Sequence, residues 1–226
     1  MKTGRLALLG TAAIVAGSTG WAAPAGAAAP VSFRGPTTFA VAGSAADVVA
    51  ADFNGDGDPD LAVALFNQNV SVLLGAAGAG FSPAREFSAG GETRQLAVGD
   101  FNADSRLDLA VAISGGVSVL LGEPGGAFGP PTVYGRGSAV SVAVGDFDAD
   151  AHPDLVVGDS QADDLYVLLG GAGGTFSAPT RLAAIADSYD VAVGEFNGDS
   201  DPDLAVISLT RPPANVSVFL GGPGAG

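Results

Sequence analysis

The sequence predicts an all-β protein: a β-propeller of four-stranded antiparallel blades, with four repeat units in the chain. Three observations carry this reading. One acidic loop pattern recurs four times, its first positions 48, 46 and 49 residues apart, the size of one small sheet with its connections. Short β-branched apolar runs, bounded by Gly, Asp and Pro, flank every loop as strands would. Glycine and proline supply 35 and 14 of the 226 residues, so turns are many and long helices are not expected.

The first element is not part of the fold. Lys2 and Arg5 make a basic start, Leu6 to Ala16 an apolar run, and small residues follow to Ala29. This is the grammar of a secretory signal peptide, with Ala25-Gly26-Ala27 as the small-x-small cleavage site. Residues 1–27 are therefore expected to be removed and 28–226 to form the exported repeat domain. The run is shorter than the ~20 apolar residues of a membrane span, and no later segment of the sequence is long and apolar enough to be one. Cleavage removes Trp21 and the only lysine and takes the formal charge from −15 to −17.

Each unit then reads in the same order. An inner strand enters the acidic loop: Val48-Val49-Ala50, Leu96-Ala97-Val98, Val142-Ala143-Val144, Val191-Ala192-Val193. A second strand leaves it at Leu61, Leu109, Leu155 and Leu204. The third ends at Gly75, Gly122, Gly170 and Gly221. A weaker outer strand begins at Phe33, Phe81, Phe128 and Phe176, each followed within three residues by proline, which suits an edge. Near-continuous apolarity in the inner three predicts sheets buried on both faces. Such sheets must pack face to face, and radial repetition does this while leaving only short edges. The last unit lacks an outer strand, and the orphan strand Phe33 to Val41 is expected to complete it. Three arrangements stay open: a small closed ring, part of a larger one, or assembly with another copy.

The loops carry the chemistry. Numbered 1 to 9, they place side-chain oxygens at positions 1, 3, 5 and 9. In loop one these are Asp52, Asn54, Asp56 and Asp60; in loop two Asp100, Asn102, Asp104 and Asp108. Loop three has Asp146, Asp148, Asp150 and Asp154, and loop four Glu195, Asn197, Asp199 and Asp203. Position 7 (Asp58, Arg106, His152, Asp201) adds a backbone carbonyl. Five protein oxygens plus water reach the six to eight hard ligands that calcium prefers, and magnesium tolerates such carboxylate cages poorly. The spacing begins like an EF-hand, but the glutamate due at position 12 is Val63, Val111, Val157 and Val206, so that reading fails. The loops hold fifteen of the twenty-four acids. Like charges so close disfavour joint ionisation unless a cation is present. Up to four calcium ions are expected, with loops one and four the best sites. Loop two, with Arg106 at position 7 and no proline at position 8, is expected to be the weakest. Gly55 and Gly198 at position 4 permit a left-handed backbone that Ala103 and Ala149 resist.

Over residues 31–221 the chain resembles the FG-GAP or VCBS-type repeats of integrin α-subunits and of secreted bacterial proteins. The resemblance implies a propeller with calcium in the hairpin between the two inner strands of each blade.

Other chemistry is sparse. The chain has no cysteine, and its one histidine, His152, lies in a loop, so nucleophilic triads lack their members. Asp163-Asp164 and Asp187/Asp190 read as turns rather than a glycosidase pair. Only Tyr134, Tyr166 and Tyr189 are free to stack on sugar, because Phe53, Phe101, Phe147 and Phe196 recur in register as core residues. The acidic balance excludes nucleic acid as a partner. The expectation is a secreted, calcium-binding, non-catalytic interaction or adhesion scaffold with a protein or glycan ligand. The alternative is a carbohydrate-binding protein or polysaccharide-active enzyme on the same propeller.

Overall fold

The structure is a computed structural model and describes residues 35–78, 80–135, 137–185, 188–209 and 215–222. The proposed signal segment lies outside these residues. Among them every regular element is a strand. In the first unit β1 (Ala45–Ala51), β2 (Asp60–Leu65) and β3 (Asn69–Leu73) are followed by a small hairpin, β4 (Gly75–Ala76) and β5 (Gly80–Phe81), and by β6 (Arg85–Ser88). The second unit repeats this as β7 (Thr93–Gly99), β8 (Asp108–Ile113), β9 (Gly116–Leu120), β10 (Gly122–Glu123), β11 (Ala127–Phe128) and β12 (Thr132–Tyr134). The third has β13 (Ala139–Gly145), β14 (Asp154–Asp159), β15 (Asp164–Leu168), β16 (Gly170–Gly171), β17 (Thr175–Phe176) and β18 (Thr180–Ala184). The fourth has β19 (Ser188–Gly194), β20 (Asp203–Ser208) and β21 (Asn215–Phe219). All pairs are antiparallel, giving three four-stranded sheets (β1-β2-β3-β6, β7-β8-β9-β12, β13-β14-β15-β18) and one three-stranded sheet (β19-β20-β21).

The outer strands differ from expectation. Phe81, Phe128 and Phe176 lie in the two-residue hairpins, and each outer strand starts only after the prolines Pro83, Pro131 and Pro179. Proline has no N–H to give a ladder and restrains the residue before it, so it separates hairpin from edge strand. The freed phenylalanine turns onto the preceding unit. Phe128 packs edge-on against Phe53 and Phe87, with centroids 5.6 and 5.5 Å away, and Phe176 against Phe101 and Tyr134 at 5.5 and 5.3 Å.

Consecutive sheets pack face to face, as two-sided apolarity requires. The period of two divides each second strand. Ala62 and Ala64 face the next sheet, where they meet Leu109, Val111 and Ile113. Ala110 and Ala112 likewise meet Leu155 and Val157. Small residues on one face thus receive large ones from its neighbour, and all six residues of β8 are buried. In the fourth sheet the corresponding forward face is open: Ile207, Val216 and Val218 are 39, 66 and 55% exposed.

The orphan strand is the second difference. Residues 35–41 form no strand and pair with no sheet. Phe39 and Val41 instead pack on the backward face of the first sheet, against Val63, Leu65 and Leu73.

Candidate metal centres

All four acidic loops share one backbone. Positions 4 and 6 are left-handed in each: Gly55 and Gly57, Ala103 and Ser105, Ala149 and Ala151, Gly198 and Ser200, with φ between 59° and 90°. Position 4 was legible from its glycines, whereas position 6 was not, because three loops put Ser or Ala there. Those non-glycine residues sit where a Cβ is disfavoured by about 1 kcal/mol or more, so something in each loop must hold the turn.

Side-chain acceptors hold it. In loop one Gly55 N–H donates to Asp52 Oδ1 and Gly57 N–H to Asp52 Oδ2. Asn54 Oδ1 accepts from Asp56 N–H, and Asp56 Oδ1 from Asp58 N–H, both at 2.8 Å. The ladder recurs through Asp100, Asn102 and Asp104, through Asp146, Asp148 and Asp150, and through Glu195, Asn197 and Asp199. Positions 1, 3 and 5 are thereby wound onto one side, as their odd spacing suggests. His152, half-buried at position 7, takes part only through its backbone N–H, which donates to Asp150.

Position 9 has a second job that the sequence did not reveal. Asp60, Asp108, Asp154 and Asp203 are fully buried. In each, one oxygen accepts the N–H of the position 2 phenylalanine and the other the N–H of the glycine two residues past the third strand; for Asp108 these are Phe101 at 2.8 Å and Gly122 at 2.6 Å. The glycine is required there. A Cβ on Gly122 would overlap the carbonyl oxygen of Leu107, and one on Gly75 that of Pro59. Burial, opposed by these donors, raises the Asp60 and Asp154 carboxyls above the ordinary range and pushes Asp108 up to about 6, with the neighbouring loop carboxylates adding to the rise.

The loops differ at position 3. In loops one, two and four an asparagine amide donates to the position 5 carboxylate, at 2.7 to 2.8 Å. Arg106 also pairs with Asp104 and donates Nε to Gly122 O at 2.9 Å, so loop two already holds a cation of its own. Loop three has Asp148 there, which cannot donate. Its Asp146, Asp148 and Asp154 bring carboxylate oxygens within 4.8 Å of one another. An all-carboxylate set of hard oxygens fits a hard divalent cation, and among the described residues this is the one such cluster. An open cleft of about 670 Å³ lies beside it, between loops three and four, over Phe147. Over the equivalent Phe53 and Phe101 that place is taken by Phe128 and Phe176, from the hairpins of units two and three.

The other candidates fall elsewhere. Asp164 pairs with Arg181, and Asp190 Oδ1 accepts from Gln95 Nε2 at 3.0 Å. Asp187 lies outside the described residues. Tyr166 is buried, while Tyr189 is exposed. The loop phenylalanines grade from buried (Phe53, Phe101) through half-buried (Phe147) to exposed (Phe196) as the fourth sheet is approached.

Comparison with known proteins places this geometry. No curated protein matches the chain. Among solved structures it is similar to an Agrocybe aegerita lectin described as recognising non-reducing terminal N-acetylglucosamine, with 18% identity, TM-score 0.54, and 78% of this chain and 50% of that one covered. It is also similar to BBS1N described in complex with ARL6DN, with 13% identity, TM-score 0.54, and coverage of 80% and 59%. The chain thus spans about half the length of these structures, and the likeness is one of fold. The pattern of the FG-GAP-like repeat matches residues 52–111, 100–157 and 146–206, each span running from one acidic loop through the second strand of the next unit. Loop, strands and spacing together place the chain in the FG-GAP-like repeat family.

Proposed function

We propose that the chain is an exported, calcium-stabilised β-propeller module that acts as a non-catalytic binding scaffold. The observation that carries the metal reading is loop three, where Asp146, Asp148 and Asp154 converge without the asparagine amide that the other loops place at position 3. Loops one and four share its backbone and offer the same oxygens once the asparagine amide turns its Oδ1 inward. Asp100, Asp104 and Asp108 would hold a cation in loop two against competition from Arg106. Calcium bound there supplies charge neutralisation. The chain's own residues fix the turn and tie three strands to each loop. Among the described residues no helix is long and apolar enough to cross a membrane, and the N-terminal signal pattern supports export. The lectin and the ARL6-bound domain are precedents for glycan and protein ligands on this fold.

The test is thermal. A ligand that binds only the folded state stabilises by roughly 2.7 kcal/mol per site at a hundredfold excess over Kd. Millimolar calcium should raise the melting temperature above that in EGTA, and magnesium should do so much less. Coincident melts in calcium and EGTA would overturn the proposal.

A further inference from the structure

We propose that the open face of the fourth sheet is a docking surface for a second copy of this chain, which lends its residues 36–41 as the missing fourth strand. This goes beyond the metal reading and stands on the fold alone.

The argument begins with the aromatic groups that join consecutive units. Each complete group has three members: a loop phenylalanine and an outer-strand aromatic from one unit, and the hairpin phenylalanine of the next. Phe53, Phe87 and Phe128 form one, and Phe101, Tyr134 and Phe176 the second. The first unit carries two thirds of another. Its hairpin Phe81 meets Phe39 edge-on at 5.1 Å and 77°, close to the 5.5 Å and 78° of Phe128 with Phe87. Phe39 therefore occupies the place of an outer-strand aromatic, and Pro36 precedes it by three residues as Pro131 precedes Tyr134. Among the described residues that group has no loop member and no sheet to which such a strand would belong.

The fourth unit has the complementary parts. Its loop phenylalanine, Phe196, is 41% exposed, its third strand β21 has a free edge, and no outer strand follows among the described residues. Its forward face shows Ile207, Val216 and Val218 to solvent, where the equivalent Ala112, Val117 and Val119 of the second sheet are buried against the third. Free β edges and contiguous apolar patches are what recruit another chain.

Seating the partner's first sheet on this face repeats the face-to-face packing of consecutive sheets, with Ile207 standing where the second sheet has Ala112. In the first unit Val70 stands opposite Phe87 across β3 and β6, so the equivalent register sets Val216 opposite the borrowed Phe39. The partner's Phe81 then reaches Phe196. The contact is head-to-tail, joining two different faces of the same chain. Within one chain the two parts do not meet, because residues 35–41 lie on the first sheet and are paired with no strand.

The experiment is light scattering of the full chain in calcium over a concentration series, with two variants. Val218→Asp alters the open face and Phe39→Ala the lent segment; both sites are at least partly exposed, and circular dichroism checks that each variant folds. The wild type should reach at least twice the mass of one chain. Each variant should self-associate roughly thirtyfold or more weakly. Mixing the two should restore association, because one copy keeps an intact face and the other an intact segment. A wild type that stays monomeric throughout, including by closing on its own segment, would overturn the proposal. So would a Phe39→Ala chain that associates like wild type, since the face would then be pairing with itself.

Discussion

Asp108→Ala is the sharpest probe of how the acidic loops are built into the sheets, because in loop two Arg106 already pairs with Asp104. The change removes the acceptor of two buried backbone donors, Phe101 N–H at 2.8 Å and Gly122 N–H at 2.6 Å. A buried donor left without a partner costs about 1–3 kcal/mol, so the two together cost about 2–6 kcal/mol. Against this, burial already disfavours the charged Asp108, whose pKa is pushed up to about 6, and removing it relieves that penalty. A net loss of about 3 kcal/mol follows. For a chain of this size that is a fall of roughly 6–12 °C in melting temperature. The assay is a circular-dichroism melt in EGTA, with Asp104→Ala as control. Asp104 lies in the same loop, is more exposed, and supports one turn of backbone together with Arg106, so its loss should be much the smaller. A melt of Asp108→Ala within about 2 °C of wild type, or equal losses for both variants, would refute the brace.

Other outcomes follow from the same geometry. Ala149→Gly, at φ 62°, should stabilise the chain by about 1 kcal/mol, read as a rise of a few degrees, because glycine carries no left-handed penalty. Asp148→Asn should install in loop three the amide-to-carboxylate bond of the other loops, raising the melt in EGTA and shrinking the gain from calcium. Asp47, beside Asp190 and bonded to Leu96 N–H, is raised chiefly by burial. Its folded form therefore holds a proton more tightly than its unfolded form, and its contribution to stability falls as pH rises from about 3.8 through the folded value. Asp47→Asn should flatten stability against pH over that window and leave it unchanged below it, as urea titrations would show.

Much of the fold was written in the repeats. The loops, the three inner strands and the glycines that follow them recur in the same order in every unit, and each has a local cause in turn chemistry or two-sided apolarity. The parts that were not legible depend on contacts between units. Phe81, Phe128 and Phe176 read as strand starts because only their aromatic partners, Phe39, Phe53 and Phe101, show why they turn away. The position 9 aspartates read as ligands alone because their second partner lies 14 to 18 residues on, across a strand. Gln95 and Asp190 sit at irregularities of the inner strands β7 and β19 and meet across units 95 residues apart, a contact no local pattern announces. The ranking of the loops also shifted. Glycine at position 4 favoured loops one and four, but the asparagine bond at position 3 leaves loop three the most open set of carboxylates.

Calcium stoichiometry tests the central claim most directly. Equilibrium dialysis of chelator-stripped protein against radioactive calcium, carried to millimolar concentration because extracellular modules often bind at about 10⁻⁴–10⁻³ M, should show saturable binding of two or more ions per chain. Asp148→Asn should lower the affinity of one of them. Binding that never saturates, or none above a denatured control, would mean that the four loops are turns and no more.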